Sequence, residues 1–286
     1  MGTSKSYDGP KDRTPLLPPW AFPEADDGEQ PLPALPDDSK PNQPAGEQPS
    51  PEPSQLSPGS SWRTAKVSLG KAISGGSGVR GSFAAPGRKY VGALGGARNA
   101  ARTSRAGKAS TARLGQFLSS VSSRGLNETL ERLGLSSVIG KDAETVFAAI
   151  SNALAPTGSS REEAIARSAV NEALELLYEQ LLLADGDLTK LDQMGTQEVT
   201  QAIQAAVSSY IFCRWLAELE IVLEKKAMSA KEAVRHERDM RAYIRESVQL
   251  DMQGIDVLNM DWNGADGKQF IDKIFTDAYS ILEEGQ

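Results

Sequence analysis

A chain of 286 residues with one cysteine and one histidine has no material for a disulfide framework, or for a metal centre built on those residue types. No apolar run reaches the roughly 18 residues that cross a membrane, and the first residues lack the apolar stretch of a secretory signal, so the chain is expected to work in the cytoplasm, away from membranes. The net charge of −7 hides three blocks: residues 1–52 carry ten acids and four bases, residues 53–127 twelve bases and no acid, and the remainder 28 acids and 15 bases.

Residues 1–61 hold fourteen of the sixteen prolines. Proline fixes φ and donates no backbone hydrogen bond, so this acidic tail is expected to be extended and disordered. Leu16, Leu17, Trp20 and Phe22 form an apolar cluster within it, of the kind that docks on a partner.

Residues 62–109 form a basic, glycine-rich collar, read as a linker with short helices at 64–73 and 97–104. Gly76-Ser77-Gly78-Val79-Arg80-Gly81 has the letters of a dinucleotide fingerprint. It follows no strand and opens no helix, so no cofactor is expected. Two readings fit the basic block. It can pair with the acidic body, or segment 63–113 can neutralise nucleic-acid phosphates. Arg98, Arg102 and Arg105 are the candidate contacts for the second, and Trp62, Phe83 and Tyr90 its only rings for base stacking.

From 110 to 286 the apolar spacing is helical throughout, and no useful strand alternation appears. Leu114, Phe117, Leu118 and Val121 make a stripe ending at Gly125, and Leu130 and Leu133 a short turn. Asp142 is an expected N-cap for a helix carrying Val146, Phe147, Ile150 and Leu154. Ser160 with Glu163, and Ser229 with Glu232, have capping-box spacing. The second of these boxes opens a helix whose apolar residues are Val234, Tyr243, Ile244 and Val248. Between the two boxes lies the longest helix, about 197–226, with Thr196 as its expected cap and apolar residues including Leu216 on more than one face. Its only charge between Ala202 and Ala217 is Arg214. A helix apolar nearly all round belongs inside a bundle, so the expected fold is an all-α multi-helix bundle around this helix, closed by an amphipathic helix over 270–282. The core-forming stripes are all expected after Ser110.

Catalytic constellations do not emerge. His236 stands among charged residues on an expected solvated face. Asn259 to Gly264 matches half a calcium loop, but its twelfth position is Phe270, where a bidentate Glu is needed, so it reads as a polar turn between two helices. Glu162, Glu163, Glu172, Glu175 and Glu179 read as an ordinary acidic helix face.

The start, Met1-Gly2-Thr3-Ser4-Lys5-Ser6, is chemically distinctive. Gly2 favours removal of Met1, leaving an unhindered amine with a pKa near 8 and a nucleophilic fraction at neutral pH. A tail of this length spans on the order of 40 Å, enough to deliver that amine to another protein's active site. The same letters satisfy the myristoylation pattern.

Those residues, with Gly9-Pro10 and Pro15-Leu16-Leu17-Pro18-Pro19-Trp20-Ala21, resemble the start of the QatB family of the bacterial Qat anti-phage defence system. Gly92-Ala93-Leu94-Gly95-Gly96-Ala97-Arg98 and the stretches Leu154 to Pro156 and Glu163 to Arg167 are similar to it as well. The resemblance covers the tip and much of 88–185 and carries no catalytic signature. It implies three companions: an ATPase, a QueC-like enzyme and a TatD-like nuclease. QueC relatives use ATP to activate a carboxylated 7-deazaguanine for attack by ammonia. The resemblance therefore implies an adaptor, not an enzyme, whose Gly2 amine takes ammonia's place, with Thr3, Ser4, Leu16, Leu17 and Trp20 as docking residues.

Overall fold

The structure, a computed structural model, describes residues 58–74, 83–181, 186–226 and 229–285. The expected tail up to residue 57 and the Gly76–Gly81 motif lie outside them. Every regular element among the described residues is helical: α1 (Pro58–Ser74), α2 (Ala84–Ala93), α3 (Ala97–Thr103), α4 (Arg105–Arg124), α5 (Leu126–Arg132), α6 (Ala143–Leu154), α7 (Arg161–Leu181), α8 (Thr196–Lys226), α9 (Ala230–Ser247) and α10 (Ala265–Glu284).

The expected central helix is α8. Val199, Ile203, Val207, Tyr210, Ile211 and Trp215 are fully buried along it, and α1, α4, α7, α9 and α10 pack around it. Leu216, expected in the core, is only half-buried at its edge. Two glycines of α4 let aromatic rings lie directly against its backbone. A Cβ on Gly107 would lie 2.6 Å from the Tyr210 ring, and one on Gly115 2.5 Å from the Trp262 ring.

Helix starts follow the capping pattern. Asp142 accepts from the Thr145 amide at 2.9 Å. Glu163 accepts from the Ser160 amide at 3.0 Å, while the Ser160 hydroxyl accepts from the Glu163 amide at 3.2 Å. Ser229 caps α9 through the Glu232 amide at 3.3 Å. Thr196 is not a cap but the first residue of α8; the preceding Gly195 donates its N–H to Glu198 at 2.9 Å, so the carboxylate half of a capping box acts alone.

The collar departs from expectation. Leu69 and Ile73 of α1, Tyr90 and Val91 of α2, and Ala97, Ala100 and Ala101 of α3 are all buried in the same core as α4–α10, and Ala65 of α1 is buried as well. Tyr90 stacks on Trp215 with ring centroids 5.3 Å apart and planes 8° apart, and Trp62 meets Tyr90 edge-on. Core-forming stripes therefore begin well before Ser110. On α3 the stripe is all alanine, which packs by letting helix backbones approach, whereas α1 and α2 add the larger Leu69, Ile73, Tyr90 and Val91.

Two expectations on α9 are reversed. His236 is buried, because the packed face of α9 runs through His236, Met240, Tyr243 and Ile244. Val234 falls outside that face and is 65% exposed. The loop before α10 also contains more than polar turn: Trp262 is fully buried and its indole donates to Ser119 Oγ at 2.8 Å. Asp261, from the half calcium motif, accepts instead from the backbone amides of Asn263 and Gly264.

Deleting residues 1–57 should leave cooperative unfolding by circular dichroism intact, whereas deletion through Ala109 should abolish it by uncovering Trp215; an unchanged transition in the second variant would contradict this packing. Hydrogen bonds from Thr145 hold the Asp142 carboxyl below its usual range, and those from Ser160 do the same for Glu163. Their stabilisation is present above the unfolded carboxylate range and is lost as pH falls through the lowered folded values. Asp142→Ala and Glu163→Ala should therefore lower the urea midpoint at pH 7 and converge on the parent at low pH.

Candidate functional site

The structure gathers Arg214, the buried arginine among the described residues, and its partners around one break in the helices. Helix α3 ends at Thr103, α4 begins at Arg105, and the buried Ser104 between them has φ −84° and ψ 48°. Such a break leaves the last carbonyls of one helix and the first amides of the next without intrahelical partners. Buried groups of that kind must be satisfied from elsewhere.

Arg214 of α8 satisfies the first set. Its Nη1 donates to the Ala100 carbonyl at 3.1 Å, Ser104 Oγ at 2.9 Å and the Tyr279 hydroxyl at 3.3 Å; its Nη2 donates to Thr103 Oγ1 at 3.0 Å. Glu162 of α7 satisfies the second, accepting from the Ala106 amide at 2.9 Å and the Tyr210 hydroxyl at 3.1 Å. At the other end of α3, Glu283 of α10 accepts from the Ala97 amide at 3.1 Å. A cation at a helix C-terminus and carboxylates at N-termini also complement the helix dipoles.

Arg214 is 9% exposed, and its countercharge, Glu218, lies 3.4 Å away on the next turn. Burial raises the Glu218 pKa, an effect that Arg214 partly opposes. Burial likewise pushes the neighbouring Cys213 thiol up to about 11, which leaves it protonated near neutrality. In the sequence Arg214 is visible only as the lone charge between Ala202 and Ala217 of the central helix. A charge enclosed by apolar residues needs partners, and that was the available signal for this network. Nothing local marks Glu162, Tyr279 or Glu283 as those partners.

The candidate nucleic-acid contacts lie on the outside of the same break. Arg98 and Arg102 are one turn apart on α3 and Arg105 opens α4; all three are exposed. Arg102 donates to Asn99 Oδ1 at 2.7 Å. Among the described residues none of the three has an acidic partner. Lys108 does pair with Asp272 of α10 at 2.7 Å, and Arg88 donates to the Glu284 carbonyl at 2.8 Å. Glu162 and Glu283, however, meet the collar at backbone amides, and its arginine and lysine heads are largely left outward. The stacking rings are not available in the same way: Phe83 and Tyr90 are buried and Trp62 is half-buried.

The acidic face of α7 is also partly engaged. Glu162 and Glu163 serve helix starts, and Glu172 pairs with Arg241 at 2.7 Å, whose guanidinium lies 4.3 Å from the centre of the Phe212 ring. Gly2, Thr3, Ser4, Leu16, Leu17 and Trp20 lie outside the described residues.

A family model described as Qat anti-phage system associated protein QatB matches residues 95–282. That span covers about two-thirds of the chain and includes the whole Arg214 junction, from the turn before α3 to Tyr279. No curated protein and no solved structure matches.

Replacing Arg214 by methionine would take one donor from the Ala100 carbonyl and from the buried Ser104 and Tyr279 hydroxyls and leave the half-buried Glu218 carboxylate without its paired arginine, so Arg214→Met should cost about 3–5 kcal/mol in urea unfolding. Arg214→Lys should restore only part of this, because an ammonium lacks the planar fork that reaches these acceptors together. A methionine variant as stable as the parent would contradict the assigned role.

Proposed function

The chain belongs to the family of Qat anti-phage system associated protein QatB, and from that premise we propose that it is a non-catalytic adaptor and acceptor of the Qat system, joining a modifiable N-terminus to a helical docking body. The observation that carries the reading is the start Met1-Gly2-Thr3-Ser4-Lys5-Ser6, whose second residue has no side chain to hinder its amine. The body fits a docking role because the ions at its centre, the buried Arg214 and the half-buried Glu162, are engaged with helix ends.

After loss of Met1, the Gly2 amine attacks the carboxyl carbon of a carboxylated 7-deazaguanine that a QueC-like companion has activated with ATP. A C–N bond forms, the activating group departs with the electron pair of its C–O bond, and the amine releases a proton. The product is an amide between the base and this protein. Thr3, Ser4, Leu16, Leu17 and Trp20 hold the tail on the companion, in the cytoplasm, where the ATPase and the TatD-like nuclease complete the system.

Protein co-produced with the complete system should show, by intact mass, Met1 lost and one adduct on residue 2. Gly2→Glu, which retains Met1, should abolish the adduct and phage protection while leaving helicity unchanged. Full protection by Gly2→Glu, or an unmodified N-terminus in the active system, would overturn the acceptor reading.

A further inference from the structure

We propose that the outer side of α1–α4 binds double-stranded DNA through its phosphates without reading base sequence. This inference stands apart from the acceptor reading and does not depend on Gly2. It rests first on charge. Residues 53–127 contain no acid, and Arg63, Lys66, Lys89, Arg98, Arg102 and Arg105 are all exposed on α1–α4 with no acidic partner among the described residues. Bases in such an array release counterions when phosphates replace them, which makes affinity strong at low salt and steeply salt-dependent.

Rigidity is the second element. Glu283 holds the first turn of α3 and Arg214 its last, so Arg98 and Arg102 project from a helix fixed at both ends. Arg105 follows directly at the start of α4, whose Ala106 amide is fixed by Glu162. The three arginines thus occupy set positions rather than sampling them on a loose linker.

What is missing from the surface decides the ligand. Single-stranded nucleic acid is gripped by stacking its bases on exposed rings, yet Tyr90 and Phe83 are in the core and Trp62 lies edge-on against Tyr90. Apart from Arg and Lys on guanine, base edges and 2′-hydroxyls are read by free neutral hydrogen-bonding groups. On α3 these are spent internally: Asn99 donates to the Leu94 carbonyl and accepts from Arg102, while Thr103 donates to the Asn99 carbonyl and accepts from Arg214. A membrane surface would require an apolar face beside the bases, and the apolar faces of α1, α2 and α3 are turned into the core, which leaves Val67 as the one large apolar side chain exposed among their described residues. Phosphate contact with a duplex is the recognition that remains.

Fluorescence anisotropy of the full chain with 30-base-pair duplexes tests this. Two unrelated DNA sequences should bind within about threefold of each other at 50 mM NaCl, and binding should weaken steeply by 200 mM. The variant carrying Arg98→Gln, Arg102→Gln and Arg105→Gln should keep the parent's melting transition, bind at least tenfold more weakly, and show a salt slope reduced by about 3. No binding at 50 mM NaCl, equal binding by the triple variant, or tighter binding to single-stranded DNA or duplex RNA would overturn the proposal.

Discussion

Arg214 carries a charge into the apolar middle of the central helix, and the arrangement of the surrounding elements follows from how that charge is satisfied. Taking a guanidinium out of water costs several kcal/mol, which only good hydrogen-bond geometry and a countercharge offset. Here the offset comes from Glu218, the end of α3, the Ser104 turn and Tyr279 of α10. Each partner belongs to the same central helix or to a segment brought from far along the chain. Where Arg214 sits, α3 must end, the backbone must turn and α10 must pass. Glu162 then fixes the restart into α4 and joins it, through Tyr210, back to α8.

That junction changes how the charge blocks of the chain are understood. An acidic body and a basic collar suggest mutual neutralisation, and Lys108 with Asp272 does follow that pattern. The more deeply placed carboxylates do something else: they hold helix starts within the collar. The collar is thereby anchored without using up its basic side chains, which leaves a fixed, positively charged outer side on a body that also carries the proposed acceptor tail. Within an anti-phage system, one component would then present a reactive N-terminus and a DNA-facing surface from a single rigid core.

Much of this fold was legible in the sequence, and the failures share a physical cause. The caps at Asp142, Ser160 and Ser229 and the central position of α8 follow from local rules, in which one or two side chains decide the outcome. The collar was misread because its large buried residues are interspersed with bases and glycines, and its α3 stripe is only Ala97, Ala100 and Ala101. Such a stripe leaves a weak apolar period, and its burial depends on the partner helix. Trp262 was lost in a polar turn for a related reason: its burial depends on Gly115, far away in sequence. For the site, the exposed arginines were visible as charge. Their fixed placement was not, because it depends on Glu162, Arg214 and Glu283 meeting at α3 and α4.

Native-state hydrogen exchange at the amides of Ala97, Ala106 and the helical interior of α3 tests the central claim most directly. If the Arg214 junction makes the collar part of the core, these amides should exchange only as slowly as those of α8, through global unfolding, and should be released together by Arg214→Met. Exchange at rates near those of an open chain in the parent protein, with α8 still protected, would show that the collar opens independently and would contradict the account.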